Sequence, residues 1–188
     1  MKTDQLETPL QVNIMTKPKA FVSLMKLRLS SLVVLSAFFG FLMAKGDLNS
    51  LSMYSLLFGG LLITGSSNGF NQILEIKTDT LMSRTKSRPL PVQIISKIEA
   101  IIFCAIIGAL GLFLLYTINY KSMLLGLFSM IVYVLIYTPL KQKSAIAVFV
   151  GAIPGSIPPL LGYVAVSNDF GLEPGVLFMP VSYTHLRA

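Results

Sequence analysis

Charge is scarce in this chain. Asp, Glu, Lys and Arg make up 12% of its 188 residues, against roughly a quarter in soluble domains. Hydrophobic residues make up 54%, and long stretches carry no charge. A soluble core of this size has too little interior to bury that much apolar surface, whereas a bilayer accepts it at about 20 residues per helix. Cysteine is nearly absent. The single Cys104 lies in a hydrophobic run, which excludes an intrachain disulfide and reads as a small buried apolar side chain. Histidine also occurs once, as His185. No cleavable signal peptide is expected at the start, because residues 1–20 are polar and the first hydrophobic run begins well inside the chain. There is no internal repeat and no low-complexity tract.

What is present is a series of hydrophobic runs, near residues 29–44, 51–67, 94–117, 123–138 and 145–166, with a sixth beginning near Leu172. Residues 1–20 read as a disordered or surface-lying tail. The net charge of +7 is distributed by loop. Lys2, Lys17, Lys19, Lys26 and Arg28 precede the first run. Lys77, Arg84, Lys86, Arg88 and Lys97 lie between the second and third, and Lys141 and Lys143 between the fourth and fifth. The other loops hold only Lys45 and Lys121. This alternation places the N-terminus and both basic loops in the cytoplasm. It also explains the positive charge without nucleic-acid binding, which is not expected.

The longer basic loop carries the densest chemistry. Asn71, Glu75 and Asp79 are spaced i, i+4, i+8, so a helix continuing through them sets all three on one face. Oxygen donors with two carboxylates suit a hard cation such as Mg²⁺, which keeps waters and shares its shell with substrate phosphate. Arg84, Lys86 and Arg88 follow, and guanidinium groups bind phosphate oxygens in bidentate fashion. Together they suggest a diphosphate site. The plainer alternative is a solvated loop that orients the protein in the membrane, although polar residues at the membrane mouth are costly and often functional. Pro89 and Pro91 are expected to end the helix and stiffen the following turn. Tyr137 and Lys141 read equally as an interfacial anchor with a topology signal or as catalytic groups. In the fifth run, Gly151, Pro154, Gly155, Pro158, Pro159 and Gly162 imply a kinked or broken helix. Such a helix lines a cavity or serves close packing.

These residues resemble a known family. Asn-x-x-x-Glu-x-x-x-Asp over Asn71–Asp79, then Arg-Thr-x-x-Arg-Pro-Leu-Pro over Arg84–Pro91, is similar to the first signature of the heme O synthases (protoheme IX farnesyltransferases). These are a branch of the UbiA-type intramembrane prenyltransferases. Tyr137-Thr-Pro-Leu-Lys141 and the Gly151–Tyr163 stretch resemble the next blocks. Lys26-Leu27-Arg28 resembles the Lys-Pro-Arg start, with leucine in place of proline. The likeness covers about residues 21–166, and Glu75 stands where the wider superfamily usually has Asp.

The resemblance implies an all-α, polytopic transmembrane bundle of about nine helices, of which about five to six are present, around a cavity open to membrane and cytoplasm. Residues 21–180 then form a partial transmembrane prenyltransferase domain behind a cytoplasmic tail. It implies transfer of a farnesyl group from farnesyl diphosphate to a vinyl group of heme b, giving heme O, with heme b as substrate. Asn71, Glu75 and Asp79 match the metal–diphosphate motif, Arg84 and Arg88 the basic positions after it, and Tyr137 and Lys141 the next loop; Lys86 and Lys141 are also expected at the diphosphate. Mg²⁺ is the implied cation. The bilayer is the implied setting, and heme A synthase or oxidase assembly proteins are the candidate protein partners. Without an Arg- and Ser-rich transit peptide, the bacterial inner membrane is the expected location.

The chain departs from the family pattern at its end. A second acidic motif and an aromatic block with a histidine belong beyond Met179 and are not found there. Residues 181–188, with His185, resemble translated adapter sequence and are set aside, so a fragment of a longer enzyme is expected. Two rivals remain: a prenyltransferase acting on a quinone precursor or other aromatic acceptor, and a transporter or non-catalytic assembly factor, for which a broken fifth helix also fits.

Overall fold

The computed structural model describes residues 16–144 and 146–170, and among them every regular element is helical. The expected sixth run, His185, the 181–188 tail and residues 1–15 lie outside the described residues. The rest of the expected tail is already structured. Helix α1 spans Lys17–Met25 with Pro18 in its first turn, where a missing N–H breaks no helical bond, and Ala20 is buried. Lys26 then takes a left-handed conformation, φ 48° and ψ 55°, which ends one helix and starts another, α2 (Leu27–Met43).

Helix α3 (Leu51–Leu74) begins at Ser50, whose hydroxyl accepts the Met53 N–H at 3.2 Å, the usual N-cap arrangement. Glu75 joins it to a short α4 (Ile76–Leu81). Helix α5 (Lys97–Ile118) opens with a reciprocal capping box between Ser96 and Glu99. Asn119 closes it and caps α6 (Tyr120–Ile131), accepting the Ser122 N–H at 2.7 Å. α6 widens into a π-helical stretch, Val132–Tyr137, and ends in one further turn, α7 (Thr138–Leu140). Helix α8 covers Ala147–Ser167.

Among the described residues four segments are long and apolar enough to cross a membrane: Lys17–Met43, Lys97–Ile118, Tyr120–Leu140 and Ala147–Ser167. They correspond to the first, third, fourth and fifth hydrophobic runs, and the protein is a multi-pass membrane protein. Leu32, Phe39, Phe58, Phe113, Leu135 and Phe149 are exposed, as lipid-facing positions should be. α3, the second run, is 24 residues long, about 36 Å at 1.5 Å per residue. It is less apolar because Ser66, Ser67, Asn68, Asn71 and Gln72 line its C-terminal half, and all five are buried. Their polarity points into protein rather than lipid.

Two packed pairs frame the bundle: α3 on α5, and α2 on α8. Small residues allow both approaches, as expected between membrane helices. A Cβ on Gly59 would stand 3.1 Å from the Gly111 carbonyl oxygen. Between α2 and α8 the backbones meet more closely still: a Cβ on Gly40 would collide with the Pro159 carbonyl, and one on Gly162 with that of Ala37. α8 does not break at its prolines. Pro154, Pro158 and Pro159 lie inside one uninterrupted helix, so of the expected kinked or broken helix the break is corrected, while its packing against a neighbour and its place along a cavity both hold. Each proline removes only one backbone bond, and the tight seam with α2 supports the helix along its length. Its C-terminal end is tied to α6, where Asn119 Nδ2 donates to the Val164 carbonyl at 3.1 Å and Lys121 Nζ to that of Asn168 at 2.7 Å.

Candidate active site

Between these helices lies a cavity of about 650 Å³. Val33, Val34, Ile63, Ile157 and Leu161 form an apolar part, and charged and amide side chains gather at the end where α3 passes into α4. This division already resembles a site for an amphiphile with an anionic head.

The three-residue spacing works as expected despite the joint at Glu75. The Glu75 N–H still donates to the Asn71 carbonyl at 3.1 Å, and the Asp79 N–H to the Glu75 carbonyl at 2.8 Å. Helical register therefore carries across, and Asn71, Glu75 and Asp79 all line the cavity. Asn71 is almost wholly buried and engaged through both its amide nitrogen and its oxygen. Its Nδ2 donates to Glu75 Oε2 at 3.0 Å, while its Oδ1 accepts from Lys141 Nζ at 3.1 Å and from the Thr138 hydroxyl at 3.0 Å. Lys141 also pairs with Glu75 Oε1 at 2.9 Å. One lysine, 70 residues away along the chain, thus ties two of the three positions together.

Asp79 is held separately. Arg88 Nη1 meets its Oδ2 at 2.7 Å, and the Thr85 hydroxyl donates to its backbone carbonyl at 3.1 Å. This clamp folds the Pro-rich segment back over α4, so Arg84 and Arg88 both line the cavity. Lys86 does not join them. It is exposed and absent from the lining, because buried Thr85 and paired Arg88 flank it and turn it outward. Its expected place at a diphosphate is therefore not supported by geometry.

Tyr137 lies in the cavity wall with Tyr133, one π-helical turn earlier, their ring centroids 5.4 Å apart in a stacked arrangement. Lys141 Nζ stands 5.5 Å above the Tyr137 ring, within cation–π range. Gly151 of α8 leaves room for that ring, since a Cβ there would come within 2.7 Å of it. Among the lining residues that went unassigned in the sequence are Lys26, Asn68, Thr85 and Tyr133. Asn68 carried a signal, lying one turn before Asn71 on the same helical face. Lys26 carried one in the Lys26-Leu27-Arg28 stretch that resembles the family start, though not a place in the site; Tyr133 carried none, because a π-helical turn alters the angular spacing that periodicity assumes.

The donor set can be compared with what a divalent cation needs. Asn71, Glu75 and Asp79 offer oxygen only. Among the described residues no group of three or more His, Cys, Asp and Glu side chains gathers at one point. Oxygen donors of this kind are what a hard divalent cation takes, with water and substrate phosphate completing its shell.

The UbiA prenyltransferase family profile matches residues 33–186. The chain is 45% identical over 159 residues to a protoheme IX farnesyltransferase of Christiangramia forsetii, covering 85% of this chain and 53% of that protein. It is 46% identical over 164 residues to one of Cytophaga hutchinsonii, covering 85% and 57%. The chain thus spans a little over half the length of these curated relatives. Among solved structures, a digeranylgeranylglyceryl phosphate synthase superposes with a TM-score of 0.79 at 24% identity, covering 90% of this chain and 60% of that one. An apo UbiA homolog from Aeropyrum pernix K1 superposes at 0.67 with 20% identity, covering 85% and 58%. At these identities both show the shared helical fold.

Proposed function

Because the chain belongs to the UbiA prenyltransferase family, we propose that it forms the diphosphate-binding part of a protoheme IX farnesyltransferase, transferring farnesyl from farnesyl diphosphate to a vinyl group of heme b to give heme O. The observation that carries this reading is the meeting of Asn71, Glu75, Asp79, Arg88 and Lys141 at the polar end of an otherwise apolar cavity. The heme acceptor is supported by the names of the relatives and by Glu75 in the first motif, rather than by the cavity.

The residues divide the work by chemistry. Asn71, Glu75 and Asp79 would hold Mg²⁺, which supplies positive charge opposite the leaving diphosphate. Arg84, Arg88 and Lys141 are placed to donate to phosphate oxygens, where preorganised donors stabilise developing negative charge. Asn71 keeps Lys141 aimed at this end of the cavity, its Oδ1 accepting a hydrogen bond from Lys141 Nζ. Tyr137 and Tyr133 present aromatic faces beside the same region, suited to positive charge on the allylic carbon. The apolar walls exclude water until the vinyl group has attacked, and water then completes the hydroxyethylfarnesyl product. The membrane is assigned as a bacterial inner membrane with the basic loops cytoplasmic. Heme A synthase and oxidase assembly proteins are the protein partners this reading names.

Two measurements test it. Farnesyl diphosphate binding to the purified chain should require a divalent cation and fall at least tenfold in Asp79→Ala and Glu75→Ala. Heme extracted from cells expressing the protein should contain a farnesylated species by mass, absent from both variants. Cation-independent binding unaffected by either substitution, or farnesylation of a quinone precursor in place of heme, would overturn the assignment.

A further inference from the structure

Four cationic side chains line the cavity, and only two are committed. Arg88 is paired with Asp79 and Lys141 with Glu75. Lys26 and Arg84 line the same cavity and make no ion pair with any described residue. Arg84 is exposed, whereas Lys26 is partly buried and stands in the electrostatic field of Arg88, Lys141, Glu75 and Asp79. The two carboxylates that share this space are already paired with Arg88 and Lys141, so the Lys26 ammonium has no counter-charge of its own and a further anion would be favourable there.

The backbone around Lys26 is built to keep it there. A left-handed lysine is uncommon, because a side chain at positive φ is strained. The break at Lys26 also frees carbonyls at the end of α1. Two buried amides of α3 satisfy them: Gln72 Nε2 donates to the Leu24 carbonyl at 2.8 Å, and Asn68 Nδ2 reaches the Met25 carbonyl at 3.4 Å and Ser30 Oγ at 3.2 Å. Ser30 in turn donates to the Met25 carbonyl at 2.7 Å. The polar face of α3 therefore serves two ends. Asn71 faces the acidic and basic cluster, while Asn68 and Gln72 lock the α1–α2 joint against the same helix. One turn beyond Lys26 begins the apolar wall of α2, at Leu29 and then Val33.

We propose that Lys26 is a further anion-binding residue of this site, contacting the diphosphate of the prenyl donor where its head group meets its chain, and that Asn68 and Gln72 are positioning residues that hold it there. This rests on the diphosphate reading of the cavity. With Lys26 and Arg84 added, the lining carries four cations against two carboxylates, and the two unpaired positive charges suit a multiply charged anion. Lys26 binds directly, whereas the amides act only through the joint.

The test is binding of inorganic pyrophosphate, with Mg²⁺ present, to the detergent-purified chain by calorimetry. Lys26→Met should weaken binding about tenfold, and Lys26→Arg should retain it within about threefold. Lys26→Asn removes the charge while tolerating the left-handed backbone, so it should weaken binding like Lys26→Met even where the methionine variant folds poorly. Gln72→Leu should also weaken pyrophosphate binding, and adding Lys26→Asn to it should cause little further loss. Wild-type affinity in both Lys26→Met and Lys26→Asn would overturn the inference and leave the diphosphate site standing. A wild-type chain that binds no pyrophosphate would overturn both.

Discussion

At the scale of single residues, the site is a set of charges that hold one another. Asp79 is nearly buried and depends on Arg88, whose side chain is about one-quarter exposed. Removing one partner of such a pair leaves an uncompensated charge, which costs more than the pair contributes. Arg88→Met should therefore lower unfolding stability by about 2 kcal/mol, read from thermal melts in detergent. Combining it with Asp79→Asn should restore part of the loss, although diphosphate binding stays impaired. An equal or larger loss in the double variant would show that the pair is not the stabilising unit. Much of this site was legible in the sequence. The i, i+4, i+8 spacing is local, and helical geometry alone puts Asn71, Glu75 and Asp79 together. Their partners were not legible as partners. Which cation faces which carboxylate depends on how a loop folds back, and the same fold turns Lys86 away while bringing Arg84 and Arg88 in.

At the scale of elements, small residues decide where helices meet. The α2–α8 seam places Gly40 against the Pro159 carbonyl and Gly162 against that of Ala37. Backbone atoms cannot rotate aside as side chains do, so a side chain at either glycine must separate the helices. Gly162→Leu and Gly40→Leu should each destabilise the protein by about 1–3 kcal/mol and shrink or distort the cavity between these helices. Gly60→Ala makes the control: its new Cβ would meet only Val34 Cγ2, at 3.5 Å, and should be nearly neutral. Melting temperatures for the three variants should fall into these two groups. The abundance of glycine and proline in α8 signalled an unusual helix, and its close packing was one of the two readings. Its continuity through three prolines was not legible, because the support comes from a neighbour rather than from the helix itself. The π-helical stretch of α6 is similar. Apolar residues at Val132–Tyr137 are compatible with either winding, and only packing selects the one that stacks Tyr133 on Tyr137.

At the scale of the whole molecule, hydrogen bonds and ion pairs define two ends. Lys17 bonds Glu99 at 2.8 Å, joining the starts of α1 and α5, while Lys141 joins α3 to the end of α7. At the opposite end the Thr117 hydroxyl meets Ser55 Oγ at 3.3 Å and Lys121 reaches Asn168. Cysteines introduced at Ser87 and Gln142 should therefore react with a membrane-impermeant maleimide from one side only, and those at Asn49 and Lys121 from the other. Native Cys104 is fully buried and should stay unlabelled. Labelling of Ser87 and Gln142 from opposite sides would refute the arrangement. By itself the sequence determined that the protein crosses a membrane repeatedly and that an acidic face precedes a basic run. These follow from hydropathy, charge count and helical periodicity, which act over a few residues. Only the tertiary structure decided that Lys141 and Arg88 close on the acidic face, that Lys26 points into the same cavity, and that the polar half of α3 faces inward. Those facts depend on contacts between residues far apart in the chain, and they are settled largely by the bundle's need to partner its buried carboxylates and freed carbonyls.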